Sequence, residues 1–277
     1  MQDRDAGRTI QATGHRSLRI FTGRRAAEML QRSVAEGVHR VENSYTNFYL
    51  VEGDDGGVTV VDTGLPTSWP FFEAALGRLG RGLSDVAAVV LTHAHFDHLG
   101  FAERARRELG VPVFVHENDV PLTGQPRQYA HERARLLYVA TQFRAAPMVA
   151  SFLRNRAWWP EPVKEVVRYG SEPGILPVPG SPRVVFTPGH TLGHSALHFP
   201  DRDCVIAGDA VVMLDPYTAL RGPRIVARAA TADSERALAS LEALARTGAR
   251  TVLTGHGEPW QAGAERAAEE ARRAGVS

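Results

Sequence analysis

The sequence predicts an α+β protein with two β-sheets in the middle and helices outside. Two observations carry that prediction. Short β-branched and aromatic runs come early as hairpins, whereas later runs alternate with helical patterns. In addition, Val86–Leu91 and Val111–Val115 are almost purely apolar, the mark of strands buried on both faces.

The elements follow in order. Val38–Val41, Asn47–Val51 and Val58–Val61 read as strands, separated by Asn43-Ser44 and by the turn-rich stretch from Gly53 to Gly57. Ser68–Leu79 places Phe72, Ala75, Leu76 and Leu79 at helical spacing and ends at Gly80. Leu99–Leu109 is a charged amphipathic helix closed by Gly110. Arg183–Phe186, Ala196–Phe199, Cys204–Ala207 and Arg250–Leu253 read as strands. Asp233–Arg246 reads as a helix with Asp233 or Ser234 near its cap, and Gln261–Ala274 as a highly charged helix that forms a solvated outer face. Residues 1–30 show no sustained periodicity and are expected to form an arm, leaving 31–277 as one domain.

Composition narrows the function. The chain has 277 residues, 32 Lys+Arg against 31 Asp+Glu, and a net charge of +1, which disfavours a nucleic-acid or membrane binder driven by charge. No apolar stretch approaches the roughly 20 residues that span a bilayer. Met1–Arg25 is polar and Arg-rich without an apolar stretch, so it does not read as a secretory signal. Cys204 is the single cysteine and reads as a buried thiol. The expectation is a cytoplasmic protein.

The histidines carry the chemistry. Three of the 11 fall in His93-Ala94-His95-Phe96-Asp97-His98, directly after the strand Val86–Leu91. Imidazoles at i and i+2 of an extended turn can face one metal, leaving Asp97 and His98 to face a second. Neutral imidazoles with a carboxylate are the usual ligands of zinc and of non-haem iron.

The H-x-H-x-D-H pattern resembles the metallo-β-lactamase fold superfamily, and four further stretches resemble that family in the right order. They are Val60–Gly64, Thr187–His194, Ala207–Ala210 and Thr254–Pro259. The resemblance covers about Gly37 to Trp260 and implies an αββα metallo-β-lactamase sandwich with its metals at one edge of the two sheets. It implies one metal held by His93, His95 and His190, and a second held by Asp97, His98 and His256, with Asp209 bridging. Asp62 and His194 would support the site from behind the ligands.

Two divalent ions about 3.5–4 Å apart can share a water and lower its pKa towards neutrality. The bridging hydroxide would attack a thioester, ester, lactone or amide carbonyl, with Asp97 orienting it and relaying its proton. No G-x-S-x-G nucleophile motif competes with this reading. The expected cofactor is two Zn2+. The alternatives are one Fe2+ in the manner of persulfide dioxygenases of this fold, mixed metals, or a non-catalytic binding member. The overall likeness is to glyoxalase-II-like hydrolases. Family lactonases place a tyrosine soon after the bridging Asp, whereas this chain has Ala210-Val211-Val212 and only then Tyr217, a further candidate pocket residue.

Pro121–Arg168 interrupts the alternation with two helical patterns, one marked by Leu136, Val139, Ala140 and Phe143, the other opened by Pro147. It reads as a helical lid, with Tyr129, Tyr138, Phe143, Met148, Phe152, Trp158 and Trp159 as candidate pocket walls. The same aromatics would equally serve to pack the helices or to form a homodimer face. Eight basic residues against three acids give this segment +5, so the remainder sums to −4. That balance suits an anionic or acyl-carrier-linked small molecule.

Overall fold

A computed structural model describes residues 29–134, 138 and 141–277. The first sheet has seven strands in chain order: β1 (Leu30–Ala35), β2 (Val38–Asn43), β3 (Thr46–Glu52), β4 (Val58–Val61), β5 (Val86–Val90), β6 (Val113–His116) and β7 (Val167–Tyr169). β1 to β4 pair antiparallel and β4 to β7 parallel. Between them lie helices α1 (Trp69–Arg78), α2 (Ala102–Leu109), α3 (Val120–Gly124) and α4 (Ala146–Arg154). The second sheet has the order β13-β10-β9-β8, formed by β8 (Arg183–Phe186), β9 (Ser195–Phe199), β10 (Cys204–Gly208) and β13 (Thr251–Thr254). β11 (Val212–Leu214) and β12 (Arg221–Arg224) make a small separate ribbon, and α5 (Ser234–Ala245) and α6 (Ala264–Ala274) complete the chain.

Three apolar layers hold four structural layers together. Val58, Val60, Val89 and Leu91 face Trp69, Phe72 and Ala102, so α1 and α2 cover the outside of the first sheet. Tyr49, Val51, Val61 and Val90 face Leu197, Phe199, Ile206 and Leu253, joining sheet to sheet. Val205, Ala207 and Val252 face Leu241, Leu244, Ala264 and Ala268, which places α5 and α6 on the far side. This is the expected αββα arrangement.

Local chemistry explains the joints. The β2–β3 hairpin turns on Ser44 and Tyr45, both left-handed (φ 56° and 69°), as a two-residue turn that matches strand twist requires. α2 ends on left-handed Gly110, Pro147 sits in the first turn of α4, and Asp233 caps α5 by accepting from Arg236 N–H.

The structure corrects several expectations. Residues 1–28 of the predicted arm lie outside the described residues, and Leu30 already belongs to β1. β1, β7, β11 and β12 are strands beyond those expected. β1 is an edge strand whose Leu-Gln-Arg-Ser start leaves Gln31, Arg32 and Ser33 exposed, and Arg221-Gly-Pro-Arg224 is held by pairing with β11 rather than by propensity. α6 does present a solvated, charged outer face, beneath which Ala264, Ala267, Ala268 and Ala271 form a buried stripe. Of the first helical pattern in 121–168, Leu136, Val139 and Ala140 lie outside the described residues.

Candidate metal centre

The five recurring motifs meet at one edge of the sandwich because each follows the end of a strand. His93–His98 leave β5, His190 and His194 lie between β8 and β9, Asp209 follows β10, and His256 follows β13. Both sheets therefore contribute, and the seven predicted ligands come together as buried side chains. His93, His95 and His190 form one group whose ligand atoms lie within 4.8 Å of one another, and Asp97, His98 and His256 form another. Asp209 lies between them, 3.4 Å from Nε2 of His190, 3.4 Å from Nε2 of His256 and 3.7 Å from Nε2 of His98. Asp97 is 3.5 Å from Nε2 of His256.

Most of these imidazoles are aimed by their other nitrogen. Nδ1 of His93 meets Thr92 Oγ1 at 3.0 Å, and Nδ1 of His98 meets Asp62 Oδ2 at 3.1 Å. Nδ1 of His190 lies 3.4 Å from Thr231 Oγ1, and Nδ1 of His256 donates to the Tyr45 carbonyl at 2.7 Å. The Nε2 atoms of His93, His95, His98, His190 and His256, together with Asp209 Oδ1, are buried without a hydrogen-bond partner. Five imidazole nitrogens and a carboxylate oxygen left bare in one spot fit a cation site, since orphaned buried polar atoms are otherwise costly.

Asp62 and His194 take the supporting positions. Asp62 accepts from Thr92 N–H, Thr92 Oγ1 and His98 Nδ1, and it joins His93 and His98 in a third grouping, the second to include a carboxylate. His194 Nε2 accepts from Asp209 N–H at 3.0 Å while its Nδ1 meets Thr187 Oγ1 at 2.8 Å, so both of its nitrogens are engaged away from the cluster. Gly208 makes this approach possible. It is left-handed (φ +51°), and a Cβ there would sit 2.6 Å from Thr92 Oγ1 and 2.8 Å from His194 Nε2.

The charge balance splits the histidines. Burial, then the neighbouring imidazoles, hold His93 and His95 well below the ordinary value. Burial likewise brings His190 and His194 to about 3. For His98 and His256, burial is outweighed by Asp209 and Asp97, and their values rise. Asp97 and Asp209 are lowered against burial, chiefly by His98 for the first and by His256 and His98 for the second.

These shifts fix how chelator-stripped protein should respond to pH. The four depressed imidazoles stay neutral when folded but protonate near 6.5 when unfolded, so stability falls as pH drops below that value. The two raised imidazoles add stability that is full below 6.5 and is lost as pH rises through their folded values. The melting temperature in chelator is therefore expected to peak near pH 6.5. A steady rise from pH 5 to pH 9 would contradict this.

Of the predicted pocket residues, the structure brings Tyr217 and Trp158 to the cluster's flank. Trp158 stacks on Phe96 with centroids 5.5 Å apart. Tyr217 Oη lies 2.9 Å from the hydroxyl of Tyr129, whose ring lies 4.1 Å from that of His95. Leu65, Phe96, Phe152 and Val212 pack in the same group. Tyr138, Phe143 and Trp159 are not brought there. Phe143 is 80% exposed and Trp159 53% exposed, because the buried stripe around α4 is filled by Met148, Phe152 and Ala157. Tyr138 instead borders a cleft with Arg133, Arg228 and Ser277. Thr92, Thr231 and the Tyr45 carbonyl escaped sequence reasoning, since a hydroxyl or a carbonyl behind a ligand leaves no spacing signal.

The family model described as "Metallo-beta-lactamase superfamily" matches residues 41–256. The chain belongs to the metallo-β-lactamase superfamily. With that membership and its buried histidine–carboxylate clusters, it is a metal-dependent hydrolase. The probable metallo-hydrolase YflN of Bacillus subtilis is 29% identical over 237 residues, covering 81% of this chain and 85% of the relative. A hydroxyacylglutathione hydrolase of Cereibacter sphaeroides is 28% identical, over 60% of this chain and 48% of its own length. Among solved structures, the metallo-β-lactamase family protein TTHA1429 of Thermus thermophilus superposes with a TM-score of 0.61 at 28% identity, covering 85% of this chain and 78% of that one. TTHA1623, solved in a di-iron-bound form, gives a TM-score of 0.55 at 26% identity, covering 80% of this chain and 92% of that one. Among the described residues of this superfamily member, no helix is long and apolar enough to cross a membrane.

Proposed function

We propose that the protein is a cytoplasmic dinuclear zinc hydrolase that cleaves a thioester, ester, lactone or amide bond of a small molecule. The observation that carries this reading is the set of bare Nε2 atoms on His93, His95, His98, His190 and His256 around Asp209. His93, His95 and His190 would hold one ion, Asp97, His98 and His256 the other, and Asp209 both. Bound there, the ions would supply an activated water near neutral pH and would polarise the scissile carbonyl.

The remaining work falls to the chain's own groups. Asp97, kept ionised against burial by His98 and His256, is the acceptor for a proton at its carboxylate oxygens. Asp62 and Thr92 keep His98 and His93 oriented, and His194 fixes the backbone of Asp209. Segment 121–168 acts as a lid, with Tyr129, Phe152 and Trp158 excluding bulk water from the side of His95 and Phe96. Its +5 charge favours an anionic or acyl-carrier-linked substrate.

A second reading has iron in place of zinc, on the similarity to TTHA1623 in its di-iron-bound form, and extends to a one-iron oxidoreductase. Elemental analysis of protein purified without added metal separates the readings. Close to two zinc per chain, with turnover of a thioester, ester or lactone from a small panel, is the expected result. About one iron per chain with little zinc would overturn it.

A further inference from the structure

Asp119 lies just beyond β6, in the single turn Glu117–Asp119, and its carboxylate is completely buried. Oδ2 accepts from Ala94 N–H at 3.0 Å and from Thr191 Oγ1 at 2.7 Å, and Oδ1 accepts from Gly193 N–H at 2.8 Å. Ala94 stands between His93 and His95, which leave the first sheet, whereas Thr191 directly follows His190, which belongs to the second. One carboxylate thus ties together the two loops that bear the three-histidine group. The chain is shaped around this contact, because a Cβ at position 193 would sit 2.6 Å from Asp119 Oδ1.

We propose that Asp119 is a positioning residue that sets the separation of His190 from His93 and His95, and with it the metal affinity of that group. Its hydrogen bonds run to the segments on either side of the three imidazoles rather than to the rings themselves. The inference rests on the reading of these histidines as ligands. Asp119→Asn is the informative substitution, because the amide keeps the volume but must turn its NH2 towards at least one of the two backbone N–H groups. Either rotamer leaves a buried donor facing a donor.

The test is a titration of chelator-stripped protein with cobalt(II) alone, followed by its visible absorption bands, with circular dichroism as the check on folding. In D119N one binding step is expected to weaken roughly 10- to 100-fold with altered bands, while the other step is unchanged. Thr191→Val removes a single bond, leaves both backbone donors satisfied, and should weaken the same step about five-fold. That variant decides the matter should D119N fail to fold. Both steps unchanged in folded D119N, or in T191V where D119N does not fold, would overturn the inference even if the melting temperature fell. Failure of the unaltered protein to bind cobalt would overturn the metal-centre reading itself.

Discussion

Asp209→Ala is expected to lower turnover by about a thousandfold or more and to leave the protein short of metal. Losing a group behind a ligand already costs roughly 10- to 100-fold in affinity or activity, and Asp209 stands in front, between both histidine groups. No other carboxylate in the described cluster can replace it. Asp97 reaches towards His256, and both oxygens of Asp62 are committed to Thr92 and His98. Asp209→Asn, which preserves volume but removes the charge, should fall nearly as far. The measurement is metal content together with turnover of whichever panel substrate the unaltered enzyme accepts. Full metal content and full turnover in D209A would rule out a bridging role.

The largest stability effect is expected at Asp62. Replacement by alanine strips the acceptor from Thr92 N–H, from the Thr92 hydroxyl and from His98 Nδ1, all of them buried. Each buried donor left without an acceptor costs about 1–3 kcal/mol, so three together amount to several kcal/mol. Alanine must in addition adopt the left-handed backbone that Asp62 holds at φ 58°, which aspartate tolerates better. In a chain of this size the melting temperature should fall by about 10 °C or more. Asp62→Asn keeps one acceptor oxygen and the backbone preference, so its loss should be clearly smaller. Equal melting temperatures for D62A and the unaltered protein would show that the network contributes nothing to the folded state.

The candidate ligands were legible because they obey a simple rule. Each follows a strand whose apolar run is easy to see, and His93, His95, Asp97 and His98 crowd into one turn. The oxygens that aim them were not legible. The acceptor for His256 is a main-chain carbonyl, which any residue at position 45 would supply, and Asp119 is one of 31 acidic residues with no motif around it. The pocket wall was half legible for a geometric reason. Neighbours such as Trp158 and Trp159 cannot both face inward, and nothing in their order tells which one does. The missed strands have two causes: pairing with a partner strand forms β1 and β12 where local composition does not favour a strand, whereas β7 and β11 are only three residues long.

The mixed origin of the candidate ligands sets when the full group can assemble. His93 and His256 are carried by different sheets and lie far apart along the chain, so the complete set assembles only once the two sheets have docked. Bringing such distant segments together carries a loop-closure cost that local contacts do not repay. Half of the chain, however well collapsed, owns at most part of the coordination sphere. The full group is accordingly available only once the sheets have docked, and a chain that stalls with them apart presents at most the partial set of the His93–His98 turn.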